Sequence, residues 1–165
     1  MKITLRAPEP SDLDSLYLWE NEPSIRRYGA ATAPYSRIML WEYINNYDAD
    51  PFRAGQARFI ITADDTAVGT VDLYNVDKKN RRAFVGIMVD PTRRGEGIAA
   101  AALEELKSYS CESLGLHQLG AVVPAPNKLS LELFRNSGFT QLAVLPEWIR
   151  LGKEYVDGYF FHCVL

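Results

Sequence analysis

Residues 89–106 read VDPTRRGEGIAAAALEEL. An apolar strand end, a proline, two arginines and two glycines one residue apart lead into an alanine-rich run, so a strand becomes a helix across this turn. Three readings compete. Glycine permits a tight turn and alanine favours a helix, which accounts for the pattern if nothing binds there. Gly95, Gly97 and Ala100 also satisfy the dinucleotide fingerprint G-x-G-x-x-A. That fingerprint belongs in a parallel βαβ unit with an acidic residue about 20 positions on, whereas antiparallel strands precede this turn and Glu112 falls at a helix end. A P-loop is excluded, because G-x-x-x-x-G-K-[ST] is absent. The third reading is a cradle for a nucleotide diphosphate on another scaffold. Gly95 and Gly97 would let the N–H groups of residues 94–99 approach an anion, and the helix start adds about half an elementary positive charge. Arg93 and Arg94 add full charges suited to forked phosphate contacts. Glu96 repels phosphate unless it points to solvent.

Outward from the turn, residues 57–91 (ARFIITADDTAVGTVDLYNVDKKNRRAFVGIMVDP) hold three β-rich runs divided by Asp64-Asp65 and by DKKN, an antiparallel meander. Before them, ITLRAP alternates like a strand, and Ser11 is expected to cap a helix carrying Leu13, Leu16, Tyr17 and Glu20. Pro23 interrupts, and a second helix over 35–47 starts from a Ser36 cap. After the turn, helical periodicity runs from Gly97 to about Leu114, HQLGAVV reads as a buried strand, and 127–136 as a helix closed by Gly138. A last hairpin turns at Gly152-Lys153. The order β-α-α-β-β-β-α-β-α-β-β implies one domain over residues 1–165 with a mixed sheet and helices on its faces.

Hydrophobic residues make up 47% and charged residues 24% of 165, the balance of a globular chain. A net charge of −3 argues against bulk attraction to nucleic acid or anionic membrane. No signal-peptide core and no spanning apolar run is present, so a soluble protein of the cytoplasm is expected. Cys111 and Cys163 lack metal-ligand spacing and read as ordinary thiols, and His117 and His162 as structural residues, so no metal is expected. Trp19, Trp41 and Trp148 read as core or cleft wall.

At this point the chain resembles the GCN5-related N-acetyltransferase (GNAT) family, whose acetyl-CoA loop reads [RQ]-x-x-G-x-[GA] and is matched by Arg94, Gly95, Glu96, Gly97, Ile98 and Ala99. LRAPEPSDLDSLYLWENEPSIRRYG (5–29) is similar to the start of the subgroup holding ribosomal-protein N-terminal and spermidine acetyltransferases. NKLSLELFRNSGF (127–139) is similar to the family's N-x-x-[AS]-x-x-x-[YF]-x-x-x-G-F helix, and GKEYVDGYFF (152–161) to its closing strand. The resemblance implies an α+β fold: a mixed, mostly antiparallel sheet splayed at its centre, with helices on both faces. It implies that the pantetheine arm of acetyl-CoA lies in the gap against backbone of Ile87, Met88 and Val89. Asn127 could bind that arm or cap its helix.

The implied chemistry is acyl transfer from a thioester to a primary amine, on a peptide N-terminus or a small molecule. It needs a proton acceptor and a donor facing the carbonyl oxygen. Met88 or Val89 N–H could be that donor, and Asp72, Glu22 and Glu20 are the candidate bases. Where many relatives carry a tyrosine to protonate the thiolate this chain has Phe134, which cannot donate. The general acid is therefore unassigned, with water, Tyr28, Tyr35 or Tyr74 as substitutes, and a catalytically silent acyl-CoA-binding or sensor protein is the alternative. Residues 24–36, which should border the acceptor cleft, hold two arginines and no acid, which weighs against spermidine. Acetyl-CoA and an amine are the expected partners, with a homodimer left open.

Overall fold

The left-handed backbone at Asp64 and Asp65 (φ 47° and 65°) closes a two-residue hairpin between β2 (Ala57–Ala63) and β3 (Thr66–Asp77). Asp tolerates this region better than most residues, which is why a pair of aspartates stands at that turn. β3 returns antiparallel to β4 (Arg82–Val89), and β1 (Ile3–Arg6) pairs with β2. The computed structural model describes residues 1–165, and its sheet continues through β5 (Gln118–Pro124), β7 (Glu154–Val164) and β6 (Thr140–Leu151) in the order β1-β2-β3-β4-β5-β7-β6.

Every neighbouring pair is antiparallel except β4 and β5, which run parallel and meet only at Arg82↔Gln118, Ala83↔Leu119 and Phe84↔Gly120. Beyond Phe84 the two strands part. This is the splay expected at the centre of the sheet, and it opens toward the turn at 90–97.

Helices cover both faces. α5 (Ile98–Glu112) and α6 (Lys128–Asn136) bury Ile98, Leu103, Leu106, Leu131 and Phe134 against Val71, Val85, Leu119 and Phe161. α1 (Leu13–Asn21) and α3 (Arg37–Asn45) pack Leu16, Trp19, Leu40 and Ile44 on the other face, over Ile60. Two short helices went unread in the sequence: α2 (Pro23–Arg26), which Pro23 starts rather than interrupts, and α4 (Pro51–Ala54). Proline has no N–H to lose in a first turn, so both helices begin on one.

Ser36 caps α3 by accepting the Met39 N–H at 3.2 Å, as its spacing suggests. Ser11 is no cap. It lies inside a 3-10 turn over Pro10–Asp12, and the organising group is Asp12, 3% exposed, which accepts the Glu9 N–H and a two-pronged bond from Arg6, each at 2.7 Å. A buried carboxylate needs more partners than a hydroxyl, and the Arg6 fork supplies them. No helix is long and apolar enough to cross a membrane.

Candidate active site

The turn at 90–97 is held from its first residue. Asp90 Oδ1 accepts from both the N–H and the hydroxyl of Thr92, and Oδ2 accepts from Trp19 Nε1–H at 2.9 Å, which pins α1 to the turn. Burial works against the Asp90 charge, yet these donors hold its carboxyl below the usual range. Gly95 and Gly97 follow with φ of 82° and 79°, so both stand where a side chain would be strained. Gly97 is the N-cap of α5 and supplies no side-chain acceptor.

The consequence is an uninterrupted run of donors. None of the N–H groups of residues 94–100 gives a hydrogen bond to another part of the molecule, and a Cβ at Gly95 or Gly97 would find no atom within 4 Å. Backbone N–H groups gathered at a helix start attract an anion by direct donation and by the aligned peptide dipoles. Glu96 does not spoil this, because Arg93 clasps it with two bonds of 2.8 Å, lowering the Glu96 pKa. Arg94 has no ion-pair partner and is exposed, leaving its fork free beside the N–H groups.

The splay supplies the second half of the site. Asp90 N–H donates to Val68 O at 2.8 Å, and the register continues through Gly69↔Val89, Thr70↔Met88 and Val71↔Ile87. Opposed residues of an antiparallel pair alternate between bonded and non-bonded, so the polar groups of Ile87 and Val89 face the gap and those of Met88 face β3. Of the two N–H groups weighed from sequence as carbonyl donors, Val89 therefore has the better direction. Its side chain is buried beneath α5 and that of Met88 packs under α1 and α3. Across the gap, Asn127 caps α6 through Oδ1, which accepts the Ser130 N–H at 3.3 Å. That leaves the Asn127 amide NH2 uncommitted.

The candidate bases are not brought together as a group. Glu22 caps α2, accepting from Ile25 N–H and the Ser24 hydroxyl, and that hydroxyl, the Ile25 N–H and nearby Arg94 lower its pKa. Asp72 and Glu20 meet instead at Arg58. The guanidinium donates to both Asp72 oxygens at 2.8 Å and to Glu20 Oε1, in a partly buried cluster joining α1, β2 and β3. Both carboxylates are thus ion-pair partners and not free surface charges. Burial opposes the Arg58 charge, but Asp72 and Glu20 outweigh it and hold its pKa above the ordinary value. Burial also pushes the phenol of Tyr43, whose ring lies 5.7 Å from that guanidinium, up to about 12.

Phe134 is 3% exposed and packs edge-on to Phe139 and stacked on Phe161, with centroids 5.0 and 5.9 Å apart. It is core. Of the alternative acids, Tyr74 stands beside Asp72 on β3; burial and that carboxylate raise its pKa, so it stays protonated. No three or more His, Cys, Asp or Glu side chains are grouped to hold a metal ion. Sequence reasoning missed Arg58, whose one signal was an arginine in the otherwise apolar run ARFII.

The chain has relatives of similar sequence and fold among known proteins. The chain is 28% identical over 138 residues to spermidine N(1)-acetyltransferase of Escherichia coli (strain K12), covering 84% of this chain and 73% of that protein. It is 27% identical over 157 residues to the enzyme of the same name from Vibrio cholerae, covering 94% and 89%. A crystal structure of spermidine N-acetyltransferase from Vibrio cholerae in complex with CoA and spermine superposes with a TM-score of 0.87 at 26% identity, covering 98% of this chain and 95% of that one. The family model described as an acetyltransferase (GNAT) domain matches residues 2–140. The protein therefore belongs to the GNAT family, an N-acetyltransferase that moves an acetyl group from acetyl-CoA to an amine.

Proposed function

We propose that residues 1–165 act as one acetyltransferase domain in which Arg94, Gly95, Glu96, Gly97, Ile98 and Ala99 hold the pyrophosphate of acetyl-CoA. In this reading the N–H and C=O groups of Ile87 and the C=O of Val89 pair with the pantetheine arm as an added strand would, and the Asn127 amide steadies it from the far side. The single observation that carries it is the run of N–H groups at 94–100 with no internal acceptor. Met88 contributes from its side chain, which helps close the acceptor side under α1 and α3.

The reaction balances simply. The amine arrives as an ammonium and loses one proton to become a nucleophile, its nitrogen forms a bond to the thioester carbonyl carbon, and the C–S bond breaks. The second amine proton leaves as the tetrahedral centre collapses, and the thiolate leaves as CoA thiol after taking up a proton. Asp72 has both oxygens on Arg58 and Glu22 is engaged as a cap, so these candidate bases accept the amine proton through water rather than by contact. The Val89 N–H polarises the carbonyl oxygen in the gap.

The named relatives act on spermidine, but residues 24–36 carry Arg26 and Arg27 and no acid. A polyamine needs a carboxylate for each ammonium that leaves water. A primary amine with one positive charge fits this chain better. Calorimetry with acetyl-CoA, CoA, NAD and ATP tests the cofactor assignment: CoA and acetyl-CoA bind in the micromolar range, and tight NAD binding without CoA binding contradicts it. Free-thiol release across a panel of amines tests transfer.

A further inference from the structure

Three aromatic residues on the face shared with α1 and α3 belong to neither hydrophobic core: Tyr74 on β3, Phe84 on β4 and Phe160 on β7. Their rings form a row with centroids 5.7 and 6.2 Å apart. The register makes the row, since Tyr74 lies opposite Phe84 and Phe84 opposite Gly120. Glycine inside a strand weakens it unless something approaches closely. Here a Cβ at Gly120 would stand 3.2 Å from Phe160 Cε2 and 3.3 Å from Phe84 Cε1, so its absence lets two rings lie over the strand.

This row is a floor without a roof. Tyr74 is 37% exposed, Phe84 and Phe160 are half-buried, and the cluster beneath α1 and α3 takes in Ile60, Ala67 and Met88 but nothing from β5, β6 or β7. Its place is set by the splay. Phe84 is the last β4 residue paired with β5, so the floor begins at the apex of the gap, and alternation carries the same face through Gly86 to Met88, beside Val89. Asp72 stands on this face two residues from Tyr74 and, with Glu20 and Arg58, forms a cluster of one net negative charge.

We propose that this floor seats the body of the acceptor, and that the acceptor is a monoamine carrying an aromatic ring, an arylalkylamine. The inference rests on acetyl transfer in the gap as described above. A ring laid on the Tyr74, Phe84 and Phe160 row gains offset or edge-on contacts, and one ammonium is drawn to the π faces and to the single net charge at Asp72. That single net charge serves one ammonium, and a polyamine would bring further ammonium groups out of water without a carboxylate for each.

Free-thiol release from acetyl-CoA, measured with phenethylamine, tryptamine, butylamine, spermidine and a short peptide with a free N-terminus, tests it. The expected kcat/KM for phenethylamine and tryptamine exceeds that for the other three by about tenfold or more. Phe84→Ala and Phe160→Ala raise the KM for phenethylamine about tenfold and leave the KM for acetyl-CoA within about twofold. Tyr74→Leu, at the exposed end of the row, gives the same split should either phenylalanine variant fold poorly. Equal or better turnover of spermidine, butylamine or the peptide overturns the proposal, as does an equal loss with every acceptor in the variants. If phenethylamine is not acetylated although calorimetry shows acetyl-CoA bound, the acceptor assignment falls and the cofactor site stands. If acetyl-CoA itself does not bind, the cofactor site falls and the acceptor assignment with it.

Discussion

Two helices begin at the rim of the splayed sheet, and they begin in opposite ways. α6 starts from Asn127, whose side chain accepts the Ser130 N–H, so that its own sequence closes the terminus. α5 starts from Gly97, with no side-chain cap and a left-handed φ of 79°, and the N–H groups of residues 94–100 go unaccepted within the molecule. α6 has a side-chain acceptor of the kind that contributes about 1 kcal/mol, and α5 goes without one. The bare terminus is the one flanked by a free arginine, and this difference is what the proposed coenzyme site rests on.

Changing the bare terminus should have the largest effect. Gly97→Val puts a β-branched residue at a left-handed φ and a branched Cβ in the anion's path, and is expected to weaken CoA binding on the order of a hundredfold or more by calorimetry. Its thermal stability should fall by about 1–2 kcal/mol from the backbone strain alone. Unchanged CoA affinity in a folded variant would erase the contrast between the two helix starts. Arg94→Ala, removing the unpaired guanidinium, should cost roughly tenfold in CoA affinity. The loss should shrink as salt is raised.

Asn127→Ala addresses the capped terminus and should act mainly on the fold, lowering stability by about 1 kcal/mol in thermal or denaturant unfolding. An equally large loss of CoA affinity in that variant would mean that the pantetheine contact outweighs the cap. Glu96→Gln is the mildest change: it loosens the clasp on Arg93, and CoA affinity should rise about twofold. The turn should also have an acid limit. Because the folded Asp90 pKa is lowered, the unfolded chain binds the proton more readily, so this contribution is complete above the ordinary carboxylate value of about 3.9 and is lost as pH falls through the lower folded value. Melting temperature followed from pH 7 downward should show a shallower acid decline in Asp90→Asn than in the parent.

Legibility in the sequence followed the distance over which each feature is built. The turn at 90–97, the Ser36 cap, the hairpin at Asp64-Asp65 and the final hairpin at Gly152-Lys153 are each set by residues a few positions apart, and each could be read from the chain. A serine before a helical run, as at Ser11, is locally a good cap, but the part-buried Arg6–Asp12 pair at the end of β1 holds residues 10–12 in a 3-10 turn, and α1 starts at Asp12 with no side-chain cap. The cluster at Arg58 draws on positions 20, 58 and 72, and the aromatic row on positions 74, 84 and 160 across a glycine at 120. Such groups exist only once strand register is known. Asp72 and Glu20 could therefore be picked out as carboxylates near the cleft, but not as partners of one arginine.

The most direct test follows amide shifts of the 15N-labelled protein while CoA is added. If the bare start of α5 grips the coenzyme's pyrophosphate, the largest changes fall on the N–H groups of residues 94–100, with smaller ones at Ile87 and Val89. Saturation with CoA that leaves 94–100 unmoved, while other N–H groups shift, would contradict the assignment.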